Sequence, residues 1–216
     1  MLVFSLIAAI EALENLNNNQ QIDCSEQCLY YHCKQIDNYY DDGTWVSDAI
    51  STLQKNGICE EKEWPYVANF DPNNISQGPP PSNCNPYPCS SPKIRWTSSN
   101  YEKLAGDLVS IIKEKLSNKK PVVVTFPVFA TWYNDGNVGK TGEIIMPLEV
   151  DLGNPSNYVG NHAVCFAGYN DQDKIFFFKN SWGTNWAYNS VYGSGYGQLP
   201  YRYIEKWCIE AYCLLP

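Results

Sequence analysis

Part-way along this 216-residue chain the spacing of its apolar residues changes, and that change restricts the fold more than any other feature. Up to about residue 64, and again over 101–116, the apolar residues recur at the three-and-four spacing of a helix face. From residue 121 onward they come in short β-branched or aromatic runs separated by Gly, Asn and Asp. Helices followed by strands, rather than alternating with them, argue for an α+β fold.

The helical half divides at its stop signals. A first helix runs over Leu2 to Leu16, apolar on nearly all sides as far as Ile10, and stops at the asparagines 17–19. Asp23 with Glu26 three residues later predicts a capping-box start for a second helix reaching about Gln35. Thr44 is the expected N-cap of a third, with Val46, Ala49, Ile50 and Leu53 on its inner face and Asn56-Gly57 as its stop. The fourth is expected from Tyr101 to Leu116, with Leu104, Leu108, Ile111 and Ile112 turned inward. Between the third and fourth, residues 72–92 hold seven of the 14 prolines and read as a long surface loop. The expected strands are PVVVTF (121–126), HAVCFAGY (162–169) and KIFFFK (174–179).

Composition excludes several classes. With 44% hydrophobic and 18% charged residues the chain buries a core rather than staying disordered. A net charge of -8 without a basic cluster argues against nucleic acid as a partner. No apolar run approaches the roughly 18–20 residues that cross a bilayer. The apolar start lacks the positive residues of a secretory signal and reads as a buried helix. A core helix beginning at residue 1 has uncapped N–H groups and a free ammonium at the wrong end of its dipole, so the natural chain is expected to extend upstream.

Nine cysteines, an odd number, suggest an oxidising, extracellular or lysosome-like compartment. Cys24, Cys28 and Cys33 cluster beside His32, but the paired Cys-x-x-Cys spacing of structural zinc sites is missing, so no metal is assigned there. Disulfides are expected instead for Cys84/Cys89 and Cys208/Cys213.

Only two histidines exist, so imidazole chemistry near neutral pH falls to one of them. His32 lies in the cysteine-rich helix and reads as structural. His162 opens an expected strand and stands one hairpin away from Asn180-Ser181-Trp182-Gly183. Adjacent antiparallel strands would set Asn180 against His162, where the amide oxygen accepts the ring N–H and fixes the tautomer. That is the orienting half of a nucleophile, base and orienter triad.

NHAVCFAGYND (161–171) followed by FKNSWGTNWAYNSVYGSGYG (178–197) resembles the His and Asn motifs of the papain family of cysteine peptidases. CSEQCLYY (24–31) resembles the family's SEQ-containing helix. DGTWVSDAISTLQKNGICEEKEWPY (42–66) resembles its glycine turn, helix and WPY segment, and KTGEIIMP (140–147) is similar to bacterial-type members. The resemblance implies a two-lobed papain-like fold, with a helical lobe over 1–95, an antiparallel β-barrel-like lobe over 96–216, and a cleft between them. It implies a monomer that hydrolyses extended peptide or protein substrates without a cofactor. His162 would be general base and acid, Asn180 its orienter, and Trp182 the indole shielding their hydrogen bond. Gly43 would pair its backbone with the substrate peptide, with Asn161 and Trp182 completing the substrate contacts.

The resemblance breaks at the nucleophile. Laid on the family's active-site helix, MLVFSLIAAIEAL puts Met1 at the cysteine and Leu2 at the tryptophan that follows it. A thioether has no proton to lose, so no thiolate–imidazolium pair forms there. Cys165 does not replace it, because an offset of three from His162 in a strand puts the two side chains on opposite faces. Ser5, deeper in the first helix, does not either. Three readings remain: a working peptidase whose N-terminus is missing from this sequence, a pseudo-peptidase that binds peptides or inhibits relatives, and a disulfide- or zinc-stapled structural module.

Overall fold

The computed structural model describes residues 2–36, 43–66, 100–134, 136–148, 152 and 154–216. The chain forms two compact units, Leu2–Asn100 and Tyr101–Leu215. The loop expected over 72–92, with Cys84 and Cys89, lies outside the described residues, as does Met1.

The first unit is helical. α1 spans Leu2–Asn18 and buries Leu2, Val3, Leu6, Ile7, Ile10 and Leu13. It ends where Asn19 takes a left-handed conformation (φ 52°), the backbone that asparagine tolerates best after glycine. The apolar stripe stops at Leu13, since Leu16 is 53% exposed. α2 spans Glu26–Ile36. Its cap is Ser25 rather than Asp23: the Ser25 hydroxyl accepts the Cys28 N–H at 2.9 Å and donates to the Trp64 carbonyl at 2.5 Å. The Asp23 carbonyl is used elsewhere, accepting the Glu61 N–H at 2.8 Å. α3 spans Val46–Asn56 with Trp45 at its N-cap and no side-chain cap bond, so Thr44 does not cap it. It ends as expected, with Gly57 at φ 67° donating its N–H to the Leu53 carbonyl. His32 is buried between the rings of Tyr31 and Trp64.

The second unit is one six-stranded antiparallel sheet with short helices. Its strands are β1 (Tyr101–Lys103), β2 (Val122–Phe129), β3 (Tyr158–Asn170), β4 (Ile175–Lys179), β5 (Tyr196–Pro200) and β6 (Glu210–Leu214), in the order β1-β6-β2-β3-β4-β5. The fourth expected helix is split. Residues 101–103 join the sheet, Gly106 turns the chain at φ 101°, and α4 (Leu108–Ser117) starts at Asp107, whose carboxylate accepts the Ser110 N–H. Leu104 is buried, but by the sheet, through a bond from its N–H to the Ala211 carbonyl at 2.8 Å. The short α5 (Thr131–Asn134) and α6 (Val138–Thr141) follow β2, and α7 (Tyr201–Trp207) links β5 to β6.

Alternate residues of the strands meet in one core. Val122, Val124, Phe126 and Val128 of β2 face it with Val164 and Phe166 of β3 and Phe176 and Phe178 of β4. Gly142 allows the β5 edge to be covered: it has φ 71°, and a Cβ there would lie 2.7 Å from the Tyr196 carbonyl oxygen. Helices ahead of one antiparallel sheet make the fold α+β, as the change of period predicts.

Cys208 and Cys213 are not joined to each other, which corrects the disulfide expected between them. Cys213 lies in β6 and Cys208 just before it, and five residues of extended chain separate Cα atoms by roughly 16 Å, against a limit of about 7 Å for a bridge. Among the described residues no helix is long and apolar enough to cross a membrane.

Candidate active site

His162 is set by strand register. It sits opposite Phe126 in the β2–β3 ladder, on the face of β3 that carries Val164 and Phe166 into the core, and is 1% exposed. Asn180 follows directly on β4, whose Lys179 pairs with Cys165, so the β3–β4 hairpin returns Asn180 to the neighbourhood of His162. A bond from the Asn180 N–H to the Gly195 carbonyl at 3.0 Å fixes its backbone.

Side-chain geometry then determines the tautomer. Asn180 Oδ1 lies 2.8 Å from His162 Nε2 and also accepts the Ser181 N–H at 2.9 Å. An amide oxygen only accepts, so His162 Nε2 carries the proton and donates it. Nδ1 is left with its lone pair, buried and without a hydrogen-bond partner among the described residues. Burial lowers the imidazole from its ordinary value to about 4, against the opposing effect of the Asn180 bond, which favours the charged ring. Near neutral pH the ring is therefore a neutral base, aimed by Asn180 and with one free acceptor.

Aromatic rings enclose this pair. Trp182 stacks on the imidazole with centroids 5.0 Å apart and planes 28° from parallel. Tyr133 stacks on Trp182 at 5.4 Å. Trp132 packs edge-on against both His162 (6.1 Å, 85°) and Trp182 (5.9 Å, 70°). The sequence reading missed Trp132. Its signal was the chain order: β2 and β3 pair antiparallel, so residues just beyond the end of β2 lie beside the start of β3.

Cys165 does not join this group. It is on the other face of β3, with the ladder regular between Phe126↔His162 and Val123↔Cys165. Burial pushes its thiol up to about 12, so it is no thiolate at neutral pH. Asn161 is exposed one residue before the base and accepts a hydrogen bond from the Tyr158 hydroxyl at 3.0 Å. Gly43 belongs to the helical unit, where it is exposed and its carbonyl accepts from the Lys34 ammonium. Met1, at the nucleophile's place by resemblance, lies outside the described residues. The described part of the site thus comprises a neutral imidazole oriented by an amide oxygen and enclosed by aromatic rings.

Known proteins share this arrangement of sequence and fold. The family model for papain family cysteine proteases matches residues 2–201. An uncharacterized peptidase C1-like protein of Acanthamoeba polyphaga mimivirus is 31% identical over 180 residues, covering 82% of this chain and 53% of that protein. A cysteine endopeptidase of Oryza sativa subsp. japonica is 28% identical over 191 residues, covering 85% of this chain and 43% of that one. The chain therefore spans about half the length of the curated relatives it matches. Among solved structures, xylellain, a cysteine protease from Xylella fastidiosa, superposes with a TM-score of 0.80 at 28% identity, over 99% of this chain and 78% of that one. A cysteine protease of Carica candamarcensis has the same fold, with a TM-score of 0.65 at 19% identity, covering 99% of this chain and 87% of that one. With the α+β fold and an asparagine-oriented histidine accounted for, the matched family model and these relatives show that this chain belongs to the papain family of cysteine proteases.

Proposed function

We propose that this chain binds extended peptides with a papain-type site in which His162 is general base and acid and Asn180 orients it, and that with Met1 at the nucleophile's position it holds peptides without cleaving them. The observation that carries the reading is the bond between His162 Nε2 and Asn180 Oδ1 at 2.8 Å, which leaves Nδ1 as an unpaired acceptor. In thiol-dependent hydrolysis such an Nδ1 takes the thiol proton, the thiolate attacks the peptide carbonyl, and the C–N bond breaks as the imidazolium returns that proton to the leaving amine. Water then attacks the thioester with the imidazole again as base. With Met1 at the nucleophile's place by resemblance, a thioether would stand where the thiol is needed, and the first proton transfer would lack its donor. Asn161 and Trp182 would meet the peptide beside the base, and Gly43 would pair with its backbone.

The test combines two measurements on the purified 216-residue chain. Calorimetry with a mixture of unstructured peptides is expected to show binding, while fluorogenic peptides show no turnover. Absence of binding would refute the peptide reading. Turnover abolished by stoichiometric labelling of one cysteine would refute the inactive reading and identify the working thiol.

A further inference from the structure

The Trp132 indole is hydrogen-bonded to a hydroxyl that the proposed mechanism does not use. Tyr203 of α7 is fully buried. Its oxygen accepts the Trp132 Nε1–H at 3.2 Å, and its O–H donates to the Pro127 carbonyl at 2.8 Å. Both ends of this relay are set by backbone geometry. The carbonyls of Pro121, just before β2, and of Thr125 within it accept from Leu214 and Ile209 on the β6 side, so by strand alternation Pro127 faces that side too. The ladder with β6 ends at Thr125↔Glu210, two residues short of Pro127. Proline lacks the N–H that would need a partner there, and the Tyr203 hydroxyl takes the carbonyl that β6 no longer reaches.

We propose that Tyr203 is a positioning residue for His162: its hydroxyl fixes the indole of Trp132, whose edge braces both the imidazole and the Trp182 ring stacked on it. The inference rests on the reading of His162 as the general base. Trp132 stands nearly perpendicular to both rings, so a rotation of its indole disturbs both contacts at once. Packing against Phe126 and Phe178 confines the indole, and its single polar atom adds a directional constraint, since a buried indole N–H without an acceptor is costly. Tyr203 serves both of its partners only while protonated, and burial pushes its phenol far above the ordinary tyrosine value. Pro127 pairs with Asn161, next to the base, so the relay also joins the strand segment carrying His162 to α7.

The test is Tyr203→Phe, read by NMR of the imidazole ring protons. With two histidines in the chain, a His162→Gln variant assigns the resonances. Tyr203→Phe is expected to displace the His162 ring protons and to move their titration midpoint toward the ordinary value by roughly half a pH unit. Tyr201→Phe, which removes a hydroxyl bonded to Asp171 at 3.0 Å, serves as control and should leave both unmoved. Unchanged His162 resonances in a folded Tyr203→Phe chain would overturn the proposal, as would equal displacement in the control. Should Tyr203→Phe not fold, hydrogen exchange at the Trp132 indole in the unaltered chain decides: protection matching β2 and β3 supports the relay, and exchange at the rate of a solvent-exposed indole overturns it. Failure to bind peptide would refute the proposed function while leaving these imidazole readouts intact.

Discussion

Acidification should destabilise this protein through His162, by an amount that follows from its burial. In the unfolded chain the imidazole titrates near 6.5, whereas in the folded chain it is held down to about 4, chiefly by removal from water. The folded state thus binds fewer protons than the unfolded state between these values, and stability falls as pH falls through that window. Above pH 6.5 the contribution is fully present; below pH 4 it is gone. At about 1.36 kcal/mol for each pH unit of difference, the whole effect is about 3 kcal/mol. The perturbation that isolates it is His162→Gln, which keeps a donor for Asn180 Oδ1 and removes the titration. Urea unfolding of both chains from pH 8 to pH 3.5, followed by the fluorescence of the sheet unit's tryptophans, gives the stability difference at each pH. Other titrating groups are common to both chains and cancel. The wild-type chain is expected to lose about 3 kcal/mol relative to His162→Gln between pH 6.5 and 4. A difference constant to within about 0.5 kcal/mol would show the imidazole to be hydrated and would refute the burial argument.

Three other outcomes are expected. Asn180→Ala strands the His162 Nε2–H and the Ser181 N–H, and should lower stability by about 1–3 kcal/mol in urea while moving the His162 NMR midpoint further down, because the lost bond favours the charged ring. Gly142→Ala should cost at least about 1 kcal/mol and lower the thermal midpoint, since φ is 71° and the new Cβ meets backbone atoms of β5. Glu26 is raised to about 7 by burial, with Glu61, Glu11 and Asp23 adding to the effect. Its folded form holds its proton longer than the unfolded one, so its stabilisation is complete below pH 4.5 and lost above pH 7. Discounted for its partial exposure, Glu26→Gln should be more stable than the wild type by about 1 kcal/mol at pH 8, with no such gain at pH 4.5, as urea unfolding at the two pH values would register.

The legible and illegible parts of the fold divide by range along the chain. The Asn56-Gly57 stop was legible because a glycine at positive φ closes a helix using groups four residues apart. Residues 101–103 were misread as helix because Leu104, Leu108 and Ile111 have helical spacing, yet the partner that makes a strand of 101–103 is β6, more than 100 residues later. Asp23 and Thr44 satisfy the local pattern of a helix cap. Asp23 lost the role to Ser25, whose hydroxyl has a second partner in Trp64. The proposed bridge between Cys208 and Cys213 fitted a terminal loop; β6 pulls that segment straight.

The site divides in the same way. Sequence alone determined the change of period, the α+β class and the order of His162 before Asn180 across one hairpin, because strand alternation and turn chemistry act between near neighbours. Tertiary structure alone decided the tautomer, the depressed basicity of the imidazole and the rings that hold it. Those depend on which atoms displace water around His162: Trp132 lies 30 positions before it, and Tyr203, 71 positions after Trp132, is bonded to that indole. No local spacing encodes such a meeting, since it is made by the packing of β2, β3 and α7 into one core.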